Sequence, residues 1–202
     1  MLRILSFVIG IISAAVILLP VFLILKIMIF RNIGDSVIYF IFSIYMAAVY
    51  VITGLPDVTS IQIDPSFNFV PVIDMISDIK NSILNVVLFI PLGFMLPFIN
   101  DRFKQIKYTA LFGLCMTFII EIMQIFTFRL TDINDIITNL AGTVIGYYIS
   151  MPLIKKLSFL EIKEQKWDKI YIVCGIDFIV IFFFQPFVSN LFWDMIFYNA
   201  IT

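Results

Sequence analysis

The sequence predicts an all-α fold, a polytopic membrane bundle of about six transmembrane helices. Three observations predict it. Six apolar runs each approach or exceed the roughly 20 residues that a helix needs to cross a hydrocarbon core. Charged residues make up 13% of the chain, against roughly 25% in an ordinary soluble domain. The mean hydropathy is +1.09, and the 23 phenylalanines among 202 residues would be hard to bury in a water-soluble fold of that size.

The first run, 4–25, carries no charge and continues through Lys26 to Phe30. It is too long, and too poor in a small-residue cleavage site, for a signal peptide, so it predicts a retained helix. Charge-free runs at 36–56, 81–100 and 136–154 predict the second, third and fifth helices. The runs 108–128 and 170–192 predict the fourth and sixth, and each holds one acid, Glu121 and Asp177. No internal repeat or low-complexity linker interrupts them. Three parts follow: an N-terminal helix in 1–36, a four-helix core in 37–154, and in 155–202 an amphipathic segment followed by a last helix. The segment 155–169 alternates basic and acidic residues and suits an interfacial helix on anionic lipid.

Lysine and arginine set the expected orientation. The connections 31–35, 101–107 and 155–169, with Lys26, hold ten of the 13 basic residues, leaving only Arg3, Lys80 and Arg129 elsewhere. Those connections are therefore expected in the cytoplasm and both termini outside. A net charge of −1 offers no footprint for nucleic acid. The absence of histidine removes histidine-based triads and histidine-containing zinc sites. Cys115 and Cys174 sit singly in apolar runs and read as packing residues. No cofactor or metal is expected.

Polar residues concentrate in EIMQIFTFRLTDINDIITNLAGTVIG, 121–146. Glu121 and Gln124 stand at i and i+3 near the expected outer end of the fourth helix, with Glu121 about two turns inside it. Thr131 or Asp132 suits an N-cap of the fifth helix, and Asp135 suits its first turn. Asp135, Asn139, Gly142 and Gly146 then form one stripe, and two glycines four apart allow a neighbouring helix to come close. Ionisable groups in a membrane normally face the bundle interior and mark function. Arg129 is the strong cation at this level, available to Glu121, Asp132 or Asp135. Asn81 and Asn85, at i and i+4 on the third helix, share a face that could complete this seam.

Glu121-x-x-Gln124, Arg129-x-x-Asp132-x-x-Asp135 and Asn139-x-x-Gly142-x-x-x-Gly146 together resemble the VanZ-like family of bacterial membrane proteins. NVVLFIPLGF, from Asn85, is similar to that family's Asn-x-x-x-Phe-x-Pro-x-Gly helix, and Asn68 with Pro71 is similar to its outer-loop Asn-x-x-Pro segment. The resemblance covers about residues 37–154, making the four-helix core VanZ-like. It implies a seam of Asn68, Asn85, Glu121, Gln124, Arg129, Asp132, Asp135 and Asn139. It also implies an association with resistance to teicoplanin, a lipoglycopeptide that targets cell-wall precursors.

Three functions are expected to compete. One is a non-enzymatic cell-envelope protein, set among membrane lipids, that binds a lipid-linked cell-wall precursor or the lipoglycopeptide itself. Another is a membrane-embedded hydrolase or transferase using paired carboxylates, although no activated nucleophile is visible. The third is a small transporter, for which the sequence lacks an inverted repeat. The first is preferred.

Overall fold

The computed structural model describes residues 2–30, 32–61, 67–68, 79–127, 131–154, 156–162 and 167–198. Among these, six helical spans are long and apolar enough to cross a membrane: Ile4–Met28, Ile33–Thr53, Ile79–Ile99, Ile106–Gln124, Ile133–Leu153 and Lys169–Ile196. The elements are α1 (Leu2–Met28), α2 (Ile33–Thr53), β1 (Phe67–Asn68), α3 (Ile79–Ile99), α4 (Ile106–Gln124), β2 (Thr131–Asp132), α5 (Ile133–Leu153), α6 (Trp167–Ile179) and α7 (Gln185–Tyr198). The all-α membrane bundle is therefore what the chain forms, apart from one two-residue parallel pairing of β1 with β2.

Packing divides the chain into two units, Met1–Ile61 with Trp167–Thr202, and Gln62–Lys166. In the first unit α1 turns Leu19, Leu23 and Ile27 outward, the last 85% exposed, and buries Ala14, Leu18 and Phe22. Such a face is stable only against lipid. The Phe30 and Tyr39 rings stack with centroids 4.8 Å apart.

The second helix lies three residues earlier than its apolar run suggests, because its caps decide. The Asn32 side chain accepts the Gly34 N–H at 3.0 Å. At the other end Gly54 takes the left-handed conformation (φ 61°) and returns its N–H to the Tyr50 and Val51 carbonyls, a glycine C-terminal cap.

The last helix is continuous but not uniformly α. Val180–Phe184 forms a π segment between α6 and α7. The Phe182 carbonyl accepts the Val58 N–H at 3.1 Å, and Gln185 Nε2 donates to the Gly10 carbonyl at 3.3 Å.

In the second unit α5 lies against α3 and α4. A Cβ on Gly93 would sit 1.8 Å from the Thr143 carbonyl oxygen, one on Gly142 2.2 Å from that of Val86, and one on Gly146 2.0 Å from that of Ile90. The expected approach at Gly142 and Gly146 is thus backbone against backbone, with α3 as the partner. On the far side of α5, Gly113 of α4 admits the Thr143 side chain.

Between α3 and α4 the Asp101–Lys104 turn is capped by Asn100, whose Oδ1 accepts the Arg102 N–H at 3.0 Å. Lys104 Nζ lies 2.6 Å from Asp101 and 2.7 Å from Glu161. Partial burial works against its charge, but hydrogen bonds to those two carboxylates outweigh it and raise the Lys104 pKa. Residues 158–160 make a 3₁₀ turn rather than the start of an interfacial helix. The Ile162 N–H bonds the Phe98 carbonyl at 2.9 Å, and the Ile162 side chain is buried. Contact with the end of α3 therefore overrides the amphipathic pattern here.

The β1–β2 pairing carries topological weight. Phe67 lies opposite Thr131 and Asn68 opposite Asp132. The chain passes through α3 and α4 between these points, so it returns to the level from which it left.

Candidate functional site

α4 ends at Gln124, earlier than the apolar run to Phe128 suggests. Its last turn unwinds through Ile125–Thr127, where the Thr127 N–H bonds the Gln124 carbonyl at 3.0 Å. Glu121 consequently stands about one turn, roughly 4.5 Å, from the helix end, not two. The buried stripe of α4 contains Thr109, Gly113, Thr117, Glu121 and Gln124. Steps of three or four residues keep all five on one face. That of α5 contains Asn134, Thr138, Asn139, Gly142, Thr143 and Gly146.

These two stripes meet in layers. Deepest is Gly113 against Thr143. Next, Asn139 Nδ2 donates to Thr117 Oγ1 at 2.9 Å. At the end of the helices, Glu121 Oε2 accepts the Asp132 N–H at 3.0 Å. Glu121, Gln124 and Asn139 are all at least 96% buried. Hydrogen bonds between membrane helices contribute about 0.6 to 2 kcal/mol each. The Thr138 and Thr143 hydroxyls satisfy themselves on their own helix, at the Asn134 and Asn139 carbonyls.

Asp132 is the N-cap of α5. Its Oδ1 accepts the Asn134 N–H at 2.8 Å and Asn134 Nδ2 at 2.9 Å. The cap thus belongs to Asp132 rather than Thr131. Asp135 follows in the first turn, where a negative charge suits the helix dipole. Asn85 Nδ2 reaches it from α3 at 2.7 Å. Asn85, Asp132 and Asp135 are half-buried. The site has an inner layer that fixes geometry and a rim of two acids and an amide.

The sequence-expected residues divide accordingly. Glu121, Gln124 and Asn139 line the α4–α5 seam, and Asp132, Asp135 and Asn85 form its rim. Asn68 is brought to Asp132 by the β1–β2 register. Arg129 and Pro71 lie outside the described residues. Asn81 is exposed on α3. Sequence reasoning missed Thr117, Asn134 and Gly113. Reading back from Glu121 in steps of four gives Thr117, Gly113 and Thr109, a polar or small residue at every turn, which is the signal that could have found Thr117 and Gly113. Among the described residues no three acidic or cysteine side chains gather closely enough to hold a metal ion.

Residues 36–156 match the VanZ/LLP1 family, the segment that holds α3–α5 and the whole of the site. The protein VanZ of Enterococcus faecium is 34% identical over 105 residues, which cover 50% of this chain and 60% of that relative. The chain therefore matches less than two thirds of the length of this curated relative. No solved structure matches it. Because the family match takes in more than half of the chain and its helices are of membrane-spanning length, this protein belongs to the VanZ/LLP1 family and is a multi-pass membrane protein.

Proposed function

We propose that the chain is a non-catalytic protein of the bacterial cell envelope. Through the rim formed by Asn85, Asp132 and Asp135 it binds a lipid-linked cell-wall precursor or a lipoglycopeptide, and so lowers teicoplanin susceptibility. The observation that carries this reading is the layered seam. Glu121, Gln124 and Asn139 are buried, and hydrogen bonds of Glu121 and Asn139 join α4 to the start and body of α5, while two acids remain half-buried above them. A rim of carboxylates and amides suits a ligand rich in hydroxyl and amine donors. The excess of basic residues on the alternate connections supports an outward-facing rim, where such ligands are met.

The test is teicoplanin susceptibility in a sensitive host, with membrane abundance measured in parallel. The natural chain is expected to reduce susceptibility, and Asp135→Asn to abolish that effect at equal abundance. Resistance that survives Asp135→Asn and Asp132→Asn together would leave the rim a structural cap.

A further inference from the structure

Outside the family-matched segment, α6 carries a carboxyl group that the seam does not use. Asp177 is 3% exposed and Ser43 of α2 is fully buried. Asp177 lies eight residues beyond Lys169, about 12 Å along the helix, well inside the span Lys169–Ile196. It belongs to the buried face that runs through Ile170, Val173, Val180 and Ile181 to Gln185. The two polar members of that face differ. Gln185 has its partner in the Gly10 carbonyl. Both carboxyl oxygens of Asp177 and the Ser43 hydroxyl oxygen lack a hydrogen bond among the described residues, although Ser43 stands against the carboxyl.

Among the described residues no cation pairs with Asp177. The titratable residues of α2, the helix packed against α6, are Asp35, Tyr39, Tyr45 and Tyr50, and those of α6 besides Asp177 are Asp168, Lys169, Tyr171 and Cys174. Lys169 sits two turns away with its Nζ 5.8 Å from the Phe30 ring centroid. An ionised carboxylate in an apolar interior costs several kcal/mol unless it is paired and hydrogen-bonded. One serine hydroxyl offers one proton, and in a helix it also has its own preceding carbonyl to bond. Binding a hydrogen ion resolves the cluster, because the neutral acid then donates its O–H to Ser43 Oγ. The π segment begins three residues on, and such segments are frequent at functional sites.

We infer that Asp177 and Ser43 form an intramembrane proton-binding site, with the hydrogen ion as its ligand, separate from the seam of α4 and α5. The site holds one proton between a carboxyl and a hydroxyl and gives it up as the pH rises.

The experiment treats the full chain in membranes with dicyclohexylcarbodiimide, an apolar reagent that modifies protonated carboxyls shielded from water. Adducts are located by peptide mass spectrometry from about pH 5 to about pH 9. The expected result is modification at Asp177 that falls as pH rises. In Ser43→Ala the fall moves to higher pH, because a hydroxyl steadies the ionised carboxylate more strongly than it does the neutral acid. Absence of an Asp177 adduct throughout the range, or an adduct that neither pH nor Ser43→Ala alters, would overturn the proposal. Asp177→Asn, which keeps shape and cannot bind the proton, is the control for assignment of the adduct. The reading in the natural chain does not depend on whether that variant folds.

Discussion

Glu121 accepts the backbone N–H of Asp132 at 3.0 Å, and Asp132 in turn caps α5 by accepting the Asn134 N–H at 2.8 Å. One buried acid in the last turn of α4 therefore holds the residue that starts α5. Replacing Glu121 by alanine removes an acceptor from a semi-enclosed amide. It is expected to destabilise the protein in detergent by about 1–3 kcal/mol, read as a lowered thermal midpoint. Glu121→Gln retains an acceptor oxygen and should lose less than half as much. Equal losses in the two variants would mean that charge, not the hydrogen bond, is what the site uses.

Gly146 and Gly175 make a matched pair. A Cβ at Gly146 would stand 2.0 Å from a backbone carbonyl oxygen, whereas one at Gly175 meets nothing within 4 Å. Gly146→Ala is expected to cost about 3 kcal/mol or to abolish stable expression. Gly175→Ala should be neutral or stabilising by up to about 1 kcal/mol, because alanine is the better helix former. Thermal unfolding of both variants, with yield from membranes, measures the difference.

Thr117→Val keeps the side-chain shape but removes the acceptor of the Asn139 amide. The expected loss is about 0.6 to 2 kcal/mol. Combining it with Asn139→Leu should cost less than the sum of the two single changes, since the second change removes the orphaned donor. A double-mutant cycle on detergent stability reads this directly.

Lys104 gives a pH dependence outside the membrane spans. Its pKa is raised above lysine's ordinary 10.5, so its contribution to stability is complete below that value. It is lost as the pH climbs through the raised value. Lys104→Met should lower stability by about 0.2–1 kcal/mol near neutrality. The variant should also lack the part of the alkaline loss that belongs to this group. Stability profiles of the two chains up to strongly alkaline pH provide the comparison.

The helices were legible because membrane insertion demands long apolar runs, and no local preference overrides that demand. Their ends were less legible. The second helix is bounded by Asn32 and Gly54, and the fourth stops at Gln124 although apolar residues continue to Phe128. Hydropathy does not register a cap or an unwinding turn. The seam residues were legible by type, since Glu121, Asp135 and Asn139 are expensive in a membrane. Their pairing was not. That Thr117 meets Asn139 and that Asn85 reaches Asp135 depends on which helices are neighbours, and glycine spacing states only that some helix comes close. The π segment at Val180–Phe184 has no compositional sign at all, because its five residues are as apolar as any α-helical run.

The pairing of Asn68 with Asp132 also sets a schedule. β1 leaves the ribosome first, yet its partner follows only after α3 and α4 have been made. At roughly 5–20 residues per second this is a wait on the order of seconds. During that interval Glu121 enters the bilayer before the amide it will hold exists, and Asn85 enters before Asp135. The polar groups that later bind α3, α4 and α5 together are thus, during synthesis, liabilities borne by single helices. A nascent chain stalled at this stage would be a ready client for membrane quality control.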